Sequence, residues 1–518
     1  MITPDPPGSR TGRWAVWLAG IPGALLLLAL TRNSLQHVPL YDELLHFLSA
    51  RGLLDVGRPV IADGVYERAS GCTHLVALAM GRFGETLLAA RVPALAGGVM
   101  LVFALSCWMA RRSGWAGGVL AGLLLSIVPA TIQLSVFARF YTIHALVILL
   151  IAVVAYEATD RRLAARSRIA LLATLPPLLL LAWHLQESTV IAAGAIAAGV
   201  VAVILSDHWV KVRDFLRRRP LLSIVGISVL LAAGVAAIFA LGLVERLGAA
   251  PLWAAGNAAR PHYYLQALAS ELPLLWSLTL AAVVIALHTR RRLAIFFVVV
   301  FVSGLIVHSV AASKATRYIY YLMPLLCGTW SCALDGAADR IRAASVAQAR
   351  RLWLLAACVM AFAVVASQEG QRALKLVAGK VLSVEEMGYA GEADWGPLLG
   401  VLRGPVASAD RVLTSNSMKA LYYLGRYDYE VSASIVRETD SGMEFGIDRR
   451  TGRQAISTAD SVSRVLETPG TTVVIIEDKK SGAESGVPEA VLAVMENHCG
   501  AIGLPAGSAV HAWHCAWP

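Results

Sequence analysis

The motif Tyr-Asp-Glu-Leu-Leu-His (residues 41–46) comes soon after the apolar run Trp-Ala-Val-Trp-Leu-Ala-Gly-Ile-Pro-Gly-Ala-Leu-Leu-Leu-Leu-Ala-Leu-Thr (residues 14–31). A helix made of this run would cross the roughly 30 Å hydrocarbon core of a bilayer. The adjacent acids Asp42 and Glu43 then emerge at the membrane surface, where a carboxylate can act as a base. Alternatively, Asp42 caps a short helix with Glu43 in its first turn, where acids are favoured. The two residues alone favour capping, so the rest of the chain has to decide.

Composition indicates an integral membrane protein. Hydrophobic residues make up 57% of the 518 residues, charged residues only 15%, and the mean hydropathy is +0.63, far from the values of soluble domains. A net charge of +10 would fit nucleic-acid binding. The basic residues, however, form short clusters between apolar runs, which is the pattern of a topology signal. We therefore predict no nucleic-acid partner.

Apolar runs of membrane-spanning length recur along the chain and predict eleven transmembrane helices. The first run also has the basic start of a signal peptide, but no small-residue cleavage site follows it. The predicted spans are residues 14–31, 85–110, 115–133, 137–158, 169–184, 188–206, 221–244, 273–289, 293–312, 318–334 and 352–366.

Basic clusters predict the orientation of these spans. Arg10 and Arg13 precede the first span, and arginine or lysine clusters follow every even-numbered one. These loops are expected to be cytoplasmic by the positive-inside rule. An odd number of spans then places Asp42, Glu43 and residues 367–518 on the other side. The prediction is a multi-pass inner (plasma) membrane protein with a cytoplasmic N-terminus and a periplasmic or extracellular C-terminal domain.

Two domains are predicted. Residues 1–366 form the transmembrane domain, whose long first outer loop, 32–84, carries the two acids. Residues 367–518 form an extracytoplasmic α/β domain, because strand and helix patterns alternate there. It has no GxGxxG motif or P-loop, which argues against a nucleotide site. The domain either covers the membrane cavity and helps to select an acceptor, or only stabilises the protein. Its predicted strands are 412–415 and 472–476, and its predicted helices are 416–424, 457–467 and 487–498.

The seven cysteines show neither a CxxC motif nor a metal-ligand spacing with histidine. Four lie in apolar runs, where they are expected to be small buried residues. Cys499 and Cys515 form a disulfide or stay free; a disulfide requires that this segment lie outside the cytoplasm. The four in apolar runs are Cys107, Cys327, Cys332 and Cys358.

Several motifs, taken in order, resemble the protein O-mannosyltransferase and aminoarabinose transferase group, membrane-embedded glycosyltransferases of the C superfamily that use polyprenyl-phosphate sugars. After the Asp-Glu pair come Met80-Gly81-Arg82-Phe83-Gly84-Glu85 and Ala90-Arg91-Val92-Pro93-Ala94-Leu95. Ala138-Arg139-Phe140-Tyr141 and Arg317-Tyr318-Ile319-Tyr320-Tyr321-Leu322-Met323-Pro324 follow. The resemblance covers residues 14–330, and the remainder in general plan only.

The resemblance implies an inverting transfer of a sugar from a lipid phosphate. Asp42 matches the catalytic aspartate of the group and would be the base that deprotonates the acceptor hydroxyl or amine. Glu43 matches the second acid and would orient the sugar or the acceptor. The chemistry itself requires such a base, and it requires cations that stabilise the departing phosphate. The implied partners are a polyprenyl-phosphate sugar, an unknown acceptor (lipid, glycan or protein) and membrane lipids.

Four cations are candidates for binding the donor phosphate: Arg91, Arg139, Lys314 and Arg317. Each lies at the outer end of a predicted span, where a charge beside lipid is costly without a partner or a function. Arginine can bind phosphate with two donors, whereas lysine acts as a point charge. Alternatively, these side chains snorkel to headgroups or pair with acids.

Four further residues are candidates for acceptor or sugar contact. His184 and Glu187 lie in a short outer loop, and Tyr318 and Tyr320 flank the Arg317 motif. Tyrosines at this level could equally form an interfacial belt. No DxD or HxxE arrangement argues for a metal, and we predict neither a metal nor a cofactor.

Two other functions share parts of this pattern. A transporter or flippase of lipid-linked sugars would more often show an internal repeat and ionisable residues in mid-span, and the sequence has neither. A polysaccharide polymerase or ligase would rely on other arginine-rich outer loops. The long first loop with its early Asp-Glu pair therefore favours the transferase.

Overall fold

The structure is a computed structural model that describes residues 13–218, 260–342, 367–378, 393–439, 444–477 and 487–518. Helices and strands are numbered below in chain order within these residues. The helices before residue 343 are α1 (Arg13–Leu18), α2 (Ile21–Thr31), α3 (Tyr41–Val56), α4 (Ser70–Phe83), α5 (Leu87–Ser113), α6 (Trp115–Ile127), α7 (Pro129–Ser135), α8 (Tyr141–Ala158), α9 (Ala165–Ala173), α10 (Leu175–Leu185), α11 (Thr189–Asp207), α12 (Trp209–Arg218), α13 (Tyr263–Glu271), α14 (Pro273–Ser277), α15 (Thr279–Thr289), α16 (Arg291–Val310) and α17 (Met323–Arg342).

The described residues contain five helical segments long and apolar enough to cross a membrane, or six if a bent pair counts as one span. The five are α5, α8, α9 with α10, α11 and α16. The pair α6–α7 is bent by 69°, because the chain leaves the helical conformation at Val128 immediately before Pro129. Shorter apolar helices at Val16–Thr31 and Thr279–Thr289 add to these.

Nine of the eleven predicted spans fall on described residues, and each coincides with helix. Two details differ. The third predicted span, 115–133, is broken at the bend, and the tenth, 318–334, starts as the 3₁₀ helix Thr316–Leu322 before α17. The predicted spans 221–244 and 352–366 lie outside the described residues, so the predicted count of eleven remains a prediction.

Small residues let the membrane helices approach closely, as is usual where lipid supplies no hydrophobic drive between helices. A Cβ at Gly23 of α2 would lie 2.8 Å from the backbone carbon of Gly122 in α6. The Ser126 hydroxyl of α6 donates to the Gly23 carbonyl at 2.8 Å. This contact fixes the first span against the third.

The C-terminal residues form a seven-stranded mixed sheet. Four strands, β6, β4, β3 and β7, run parallel, and antiparallel strands flank them on both sides, in the order β5-β6-β4-β3-β7-β9-β8. A two-residue hairpin, β1 with β2, lies earlier in the chain. The strands are β1 (Val60–Ile61), β2 (Gly64–Val65), β3 (Arg411–Thr414), β4 (Tyr429–Val431), β5 (Phe445–Ile447), β6 (Gln454–Ile456), β7 (Gly470–Glu477), β8 (Gly500–Ala501) and β9 (Val510–Trp517).

Apolar strands and amphipathic helices build the core of this sheet. Residues 473–476 of β7 are all buried, as expected for a strand covered on both faces. Val462, from the helix before this strand, and Val491 and Met495, from the helix after it, belong to the same core cluster. The helices of this part are α18 (Gln368–Val377), α19 (Leu399–Ser408), α20 (Ser417–Leu424), α21 (Ala433–Thr439), α22 (Ala459–Leu466) and α23 (Glu489–His498).

Cys499 and Cys515 form a disulfide that ties the end of α23 to β9, which resolves the alternative left open above. Cys107, Cys327 and Cys332 are buried and not in disulfides, as predicted, and Cys358 lies outside the described residues. Cys72 of α4 is a further buried free thiol.

By compactness the chain divides into two units. The first comprises residues 1–32, 94–135 and 140–380, and the second comprises 33–93, 136–139 and 381–518. The second unit thus combines most of the predicted first outer loop with the C-terminal sheet. The division into functional domains at residue 366 remains a prediction.

Candidate functional site

Asp42 and Glu43 lie in the first turn of α3. Leu40 occupies the cap position, so Asp42 is not the capping residue. The Glu43 carboxylate Oε1 accepts the Leu40 N–H at 2.9 Å and so satisfies one of the N–H groups that a helix start leaves without a partner. The helical interpretation of the acid pair therefore holds for Glu43 and leaves Asp42 in a different role.

The Glu43 side chain is completely buried and ion-paired with Arg91 of α5. Arg91 binds it with two donors, Nη2 to Oε1 at 2.5 Å and Nε to Oε2 at 3.0 Å. Oε2 also accepts the Ala138 N–H at 3.2 Å. A buried charge is tolerated only with such partners. Glu43 therefore connects the start of α3 to α5 and to residue 138.

Arg91 has no donor left for a substrate phosphate. It is 1% exposed. Besides the two bonds to Glu43, Nη1 donates to the carbonyls of Leu35 at 2.6 Å and His37 at 3.1 Å, and Nη2 contacts His37 Nδ1 at 2.9 Å. These five contacts match the five N–H groups of a guanidinium. The geometry thus favours pairing with an acid, the alternative raised from the sequence, over phosphate binding.

Asp42 is partly open to its surroundings. Its side chain is 34% exposed, and Oδ1 lies 3.5 Å from Nη1 of Arg139, whose side chain is 3% exposed. The same Nη1 donates to the Asp42 carbonyl at 2.8 Å. Arg139 thus contacts both the backbone and the carboxylate of Asp42, which orients the carboxylate.

Two buried histidines adjoin these ion pairs, and sequence reasoning gave neither a role. His46 lies one helical turn after Asp42, and its Nδ1 is 2.9 Å from Thr73 Oγ1. Burial, with Arg139 and Arg68 as lesser causes, lowers the pKa of His46 well below its usual value. Burial is also the main cause of the lowered pKa of His37. Both imidazoles are therefore neutral at pH 7. The spacing of Asp42 and His46, four residues apart, was the one signal available in the sequence.

The remaining predicted cations lie on or beside the 3₁₀ helix Thr316–Leu322. Lys314 is 1% exposed, and its Nζ donates to the Ala311 carbonyl at 2.7 Å. The Arg317 guanidinium stacks over the Tyr318 ring, 5.7 Å from its centroid. Tyr318 is half-buried and Tyr320 is buried. Lys314 and Arg317 therefore belong to one short segment, whereas Arg91 and Arg139 serve the acid pair.

His184 and Glu187 are exposed. His184 lies in the last turn of α10, and Glu187 lies in the turn before α11. This places them at the surface of the protein, and contact with an acceptor remains a prediction for both. Across the described ranges, no group of three histidine, cysteine, aspartate or glutamate side chains is arranged to hold a metal ion.

Comparison with known proteins by sequence finds neither a family model nor a curated protein that matches. Comparison with solved structures does find matches. ArnT from Cupriavidus metallidurans in the apo state superposes with a TM-score of 0.59 at 14% identity, over 95% of this chain and 96% of that one. ArnT bound to undecaprenyl phosphate gives 0.57 at 13% identity, over 98% of each chain.

The archaeal oligosaccharyltransferase AglB from Archaeoglobus fulgidus, in complex with an inhibitory peptide and a dolichol-phosphate, gives a TM-score of 0.59. It is 13% identical, over 94% of this chain and 72% of that one. The chain has the fold of ArnT and AglB. One of these structures holds undecaprenyl phosphate and another a dolichol-phosphate, and the resemblance drawn from the motifs is confirmed at the level of fold. Identities of 13–14% show the fold and leave the activity to be argued from the site.

Proposed function

We propose that the protein transfers a sugar from a polyprenyl-phosphate donor to an acceptor at the outer face of the membrane. Two solved structures with this fold hold a lipid phosphate, undecaprenyl phosphate in ArnT and dolichol-phosphate in AglB. The chain matches ArnT over nearly the whole of both proteins. The fold therefore supports a donor of the lipid-phosphate class, and the acid pair supports the chemistry.

Asp42 is the proposed general base. It takes the proton from the acceptor hydroxyl or amine while the acceptor atom bonds to the anomeric carbon. The bond from that carbon to the phosphate oxygen breaks, and polyprenyl phosphate leaves with the electron pair. Configuration inverts because attack comes from the face opposite the phosphate. Each transfer releases one polyprenyl phosphate.

This assignment of Asp42 rests on the different surroundings of the two acids. The Glu43 carboxylate already accepts four N–H bonds from the protein, which matches the lone-pair positions that a carboxylate offers. Asp42, by contrast, is 34% exposed and oriented by Arg139. A base must be reachable and held in place, and Asp42 meets both conditions. Glu43 is proposed to position Asp42 instead of touching the sugar.

Lys314 and Arg317 are the proposed phosphate ligands. A lysine point charge and an arginine fork three residues apart suit a dianionic phosphate. Arg91 is left out because its donors are in use, and Arg139 is assigned to Asp42. Of the two tyrosines predicted to contact the sugar, Tyr318 is the one proposed here. Tyr320 is buried, which favours a role in packing.

The test is turnover by the full-length protein in nanodiscs. Probes are synthetic polyprenyl-phosphate hexoses and pentoses, with envelope extract as acceptor, and release of polyprenyl phosphate is measured. Asp42→Asn is expected to lower kcat by roughly 10²–10⁴-fold, the usual contribution of a general base. Asp55→Asn is the matched control, because Asp55 is an exposed acid of the same helix, and it should keep wild-type turnover. Near-normal turnover in Asp42→Asn would remove Asp42 as the base.

Proteoliposomes distinguish transfer from transport. If the wild-type protein moves a fluorescent polyprenyl-phosphate sugar across the bilayer without releasing polyprenyl phosphate, and Asp42→Asn does so equally well, the protein is a flippase. A polymerase or ligase would instead extend a glycan in the extract repeatedly, which mass spectrometry of the product shows as a ladder.

A further inference from the structure

The residue before Asp42 is held by the C-terminal part of the same compact unit. Tyr41 opens α3, and the guanidinium of Arg450 lies over its ring, 5.5 Å from the centroid. A cation at this distance from a tyrosine ring is attracted by the ring's negative face, and more strongly as the pair is desolvated. Arg450 is half-buried, with 33% of its side chain exposed. The C-terminal sheet thus contacts the first turn of the helix that carries the proposed base.

Contacts other than the one with Tyr41 also hold the Arg450 side chain in place. It belongs to the turn of residues 448–453, which joins β5 to β6. Asp448 Oδ1 accepts both the Arg450 backbone N–H at 3.0 Å and its Nε at 2.9 Å. The Asp448 side chain is only 4% exposed. Because Asp448 already orders the Arg450 side chain, stacking its guanidinium on a ring costs little further conformational entropy.

The same turn also holds the hairpin that follows α3. The Asp63 N–H donates to the Thr451 carbonyl at 2.8 Å, and the Asp63 carboxylate accepts Nε of Arg453 at 3.0 Å. The 448–453 turn therefore contacts both the first residue of α3 and the hairpin that follows this helix. Because it makes both contacts, the 448–453 turn restrains α3 more than a single surface ion pair would, and it is called the brace below.

Helix geometry makes this brace relevant to Asp42. Successive residues of an α-helix project about 100° apart, so Tyr41 and Glu43 project in directions about 200° apart with Asp42 between them. Arg450 holds Tyr41 on one side, and Arg91 holds Glu43 on the other. Together they restrict rotation of α3 about its own axis, and that rotation sets where the Asp42 carboxylate points.

We propose that Arg450, fixed by Asp448, is a positioning residue for the sugar-transfer step, acting through Tyr41 on Asp42. The proposal rests on the proposed function for its kinetic consequence, though not for the geometry. It assigns to the C-terminal sheet a part in the chemical step at the first outer loop.

The kinetic test measures kcat and KM for the polyprenyl-phosphate sugar that supports turnover. Arg450→Gln is expected to lower kcat roughly 10- to 100-fold, the cost of an ångström-scale misplacement, with the donor KM within about twofold of wild type. Tyr41→Leu should do the same, whereas Tyr41→Phe keeps the ring and should retain turnover. Arg464→Gln is the matched control, because Arg464 pairs with Glu444 at the surface of the same sheet.

A second readout does not depend on turnover. In an Asp42→Cys background, the pH profile of thiol alkylation at position 42 reports contact with Arg139, because a nearby cation lowers a thiol pKa. Adding Arg450→Gln should shift that profile to higher pH, and adding Arg464→Gln should not. Peptide mapping identifies the alkylated cysteine. The native thiols Cys72, Cys107, Cys327 and Cys332 are buried, so they should react slowly.

The kinetic and alkylation results together separate the positioning role of Arg450 from the proposed function. Turnover of Arg450→Gln within twofold of wild type, with an unchanged alkylation profile, overturns the positioning role while leaving Asp42 as the base. If the wild-type protein turns over none of the donors, the proposed function fails, and the alkylation profile alone then supports or overturns the brace.

Discussion

Two ion pairs of the second compact unit are alike in burial and differ in location. Glu43 with Arg91 and Lys419 with Glu477 each have side chains at most 1% exposed. Both carboxylates accept further N–H bonds. Glu477, for example, accepts the Ala393 N–H at 2.7 Å and the Asn416 Nδ2–H at 2.8 Å. Each pair is therefore satisfied, as buried charges must be.

The difference is what each pair holds. Lys419 and Glu477 connect α20, β7 and residue 393 within the sheet, far along the chain from the acid motif. Glu43 and Arg91 hold the helix turn that presents Asp42. Burial and saturation alone therefore do not mark a functional charge. What distinguishes the first pair is that a partly exposed acid, oriented separately, is its direct neighbour.

The largest expected effect comes from breaking the first pair. Glu43→Gln leaves Arg91 buried without its counter-charge, which typically costs about 3–5 kcal/mol. Turnover per folded molecule should fall as well, because α3 loses its anchor. Thermal unfolding in nanodiscs and donor turnover measure the two effects. The double variant Glu43→Leu with Arg91→Met should recover stability without recovering turnover; recovery of both would mean that the pair does not position Asp42.

Breaking the second pair should affect stability alone. Lys419→Met leaves Glu477 buried and uncompensated, again at about 3–5 kcal/mol. Hydrogen exchange should speed up in peptides of the sheet, while turnover per folded molecule stays at the wild-type level. If turnover per folded molecule instead fell along with stability, the Lys419–Glu477 pair in the sheet interior would also affect the site.

Removing the disulfide should have a smaller effect. Cys499 and Cys515 are separated by 16 positions, and closing a loop of about 15 residues stabilises a fold by roughly 3 kcal/mol in the chain-entropy description. The double variant Cys499→Ser with Cys515→Ser should lower the unfolding temperature of the sheet and leave turnover unchanged. Reduction of the wild-type protein should reproduce the shift, and a reductant-insensitive unfolding temperature would contradict it.

Mild acid should produce the smallest change, and it should act on the first outer loop. The lowered pKa values of His46 and His37 mean that the folded state keeps them neutral while the unfolded chain protonates below about pH 6.5. Stability should therefore be complete above pH 6.5 and fall as the pH drops, by up to about 1.4 kcal/mol per histidine per pH unit. Unfolding temperatures between pH 7.5 and 5 test this, and His46→Gln should flatten the slope.

Much of the fold could be predicted from the sequence because its signals are local. Apolar length placed nine predicted spans on helical segments, five of which, or six with the bent pair, are long and apolar enough to cross a membrane. Alternation of strand and helix patterns placed β3, β7 and α23 within two residues. The break at Val128 could not be predicted from length, since Pro129 is tolerated in many membrane helices. The pairing of strands across the sheet depends on contacts distant in sequence.

The candidate site was predictable only in part. Asp42 and Glu43 stood out as a pair, but residue type could not tell which of them the protein would bury. That depended on Arg91, 48 positions away, and on the N–H of Ala138. Arg450 and Asp448 gave no signal, because a cation stacked on a ring has no sequence pattern. Long-range contacts, and not local propensity, separate the anchoring acid from the reactive one.

Two glycines make the first outer loop and the C-terminal sheet difficult to exchange separately. A Cβ at Gly64 would lie 2.6 Å from the Arg450 carbonyl oxygen, and one at Gly452, where φ is +71°, would lie 2.8 Å from the Asp63 carbonyl carbon. Backbone meets backbone there, and no side chain can retract to make room. A chimaera that takes its C-terminal half from another protein must bring the matching hairpin with it, so recombination between such proteins can succeed only when both segments are inherited together.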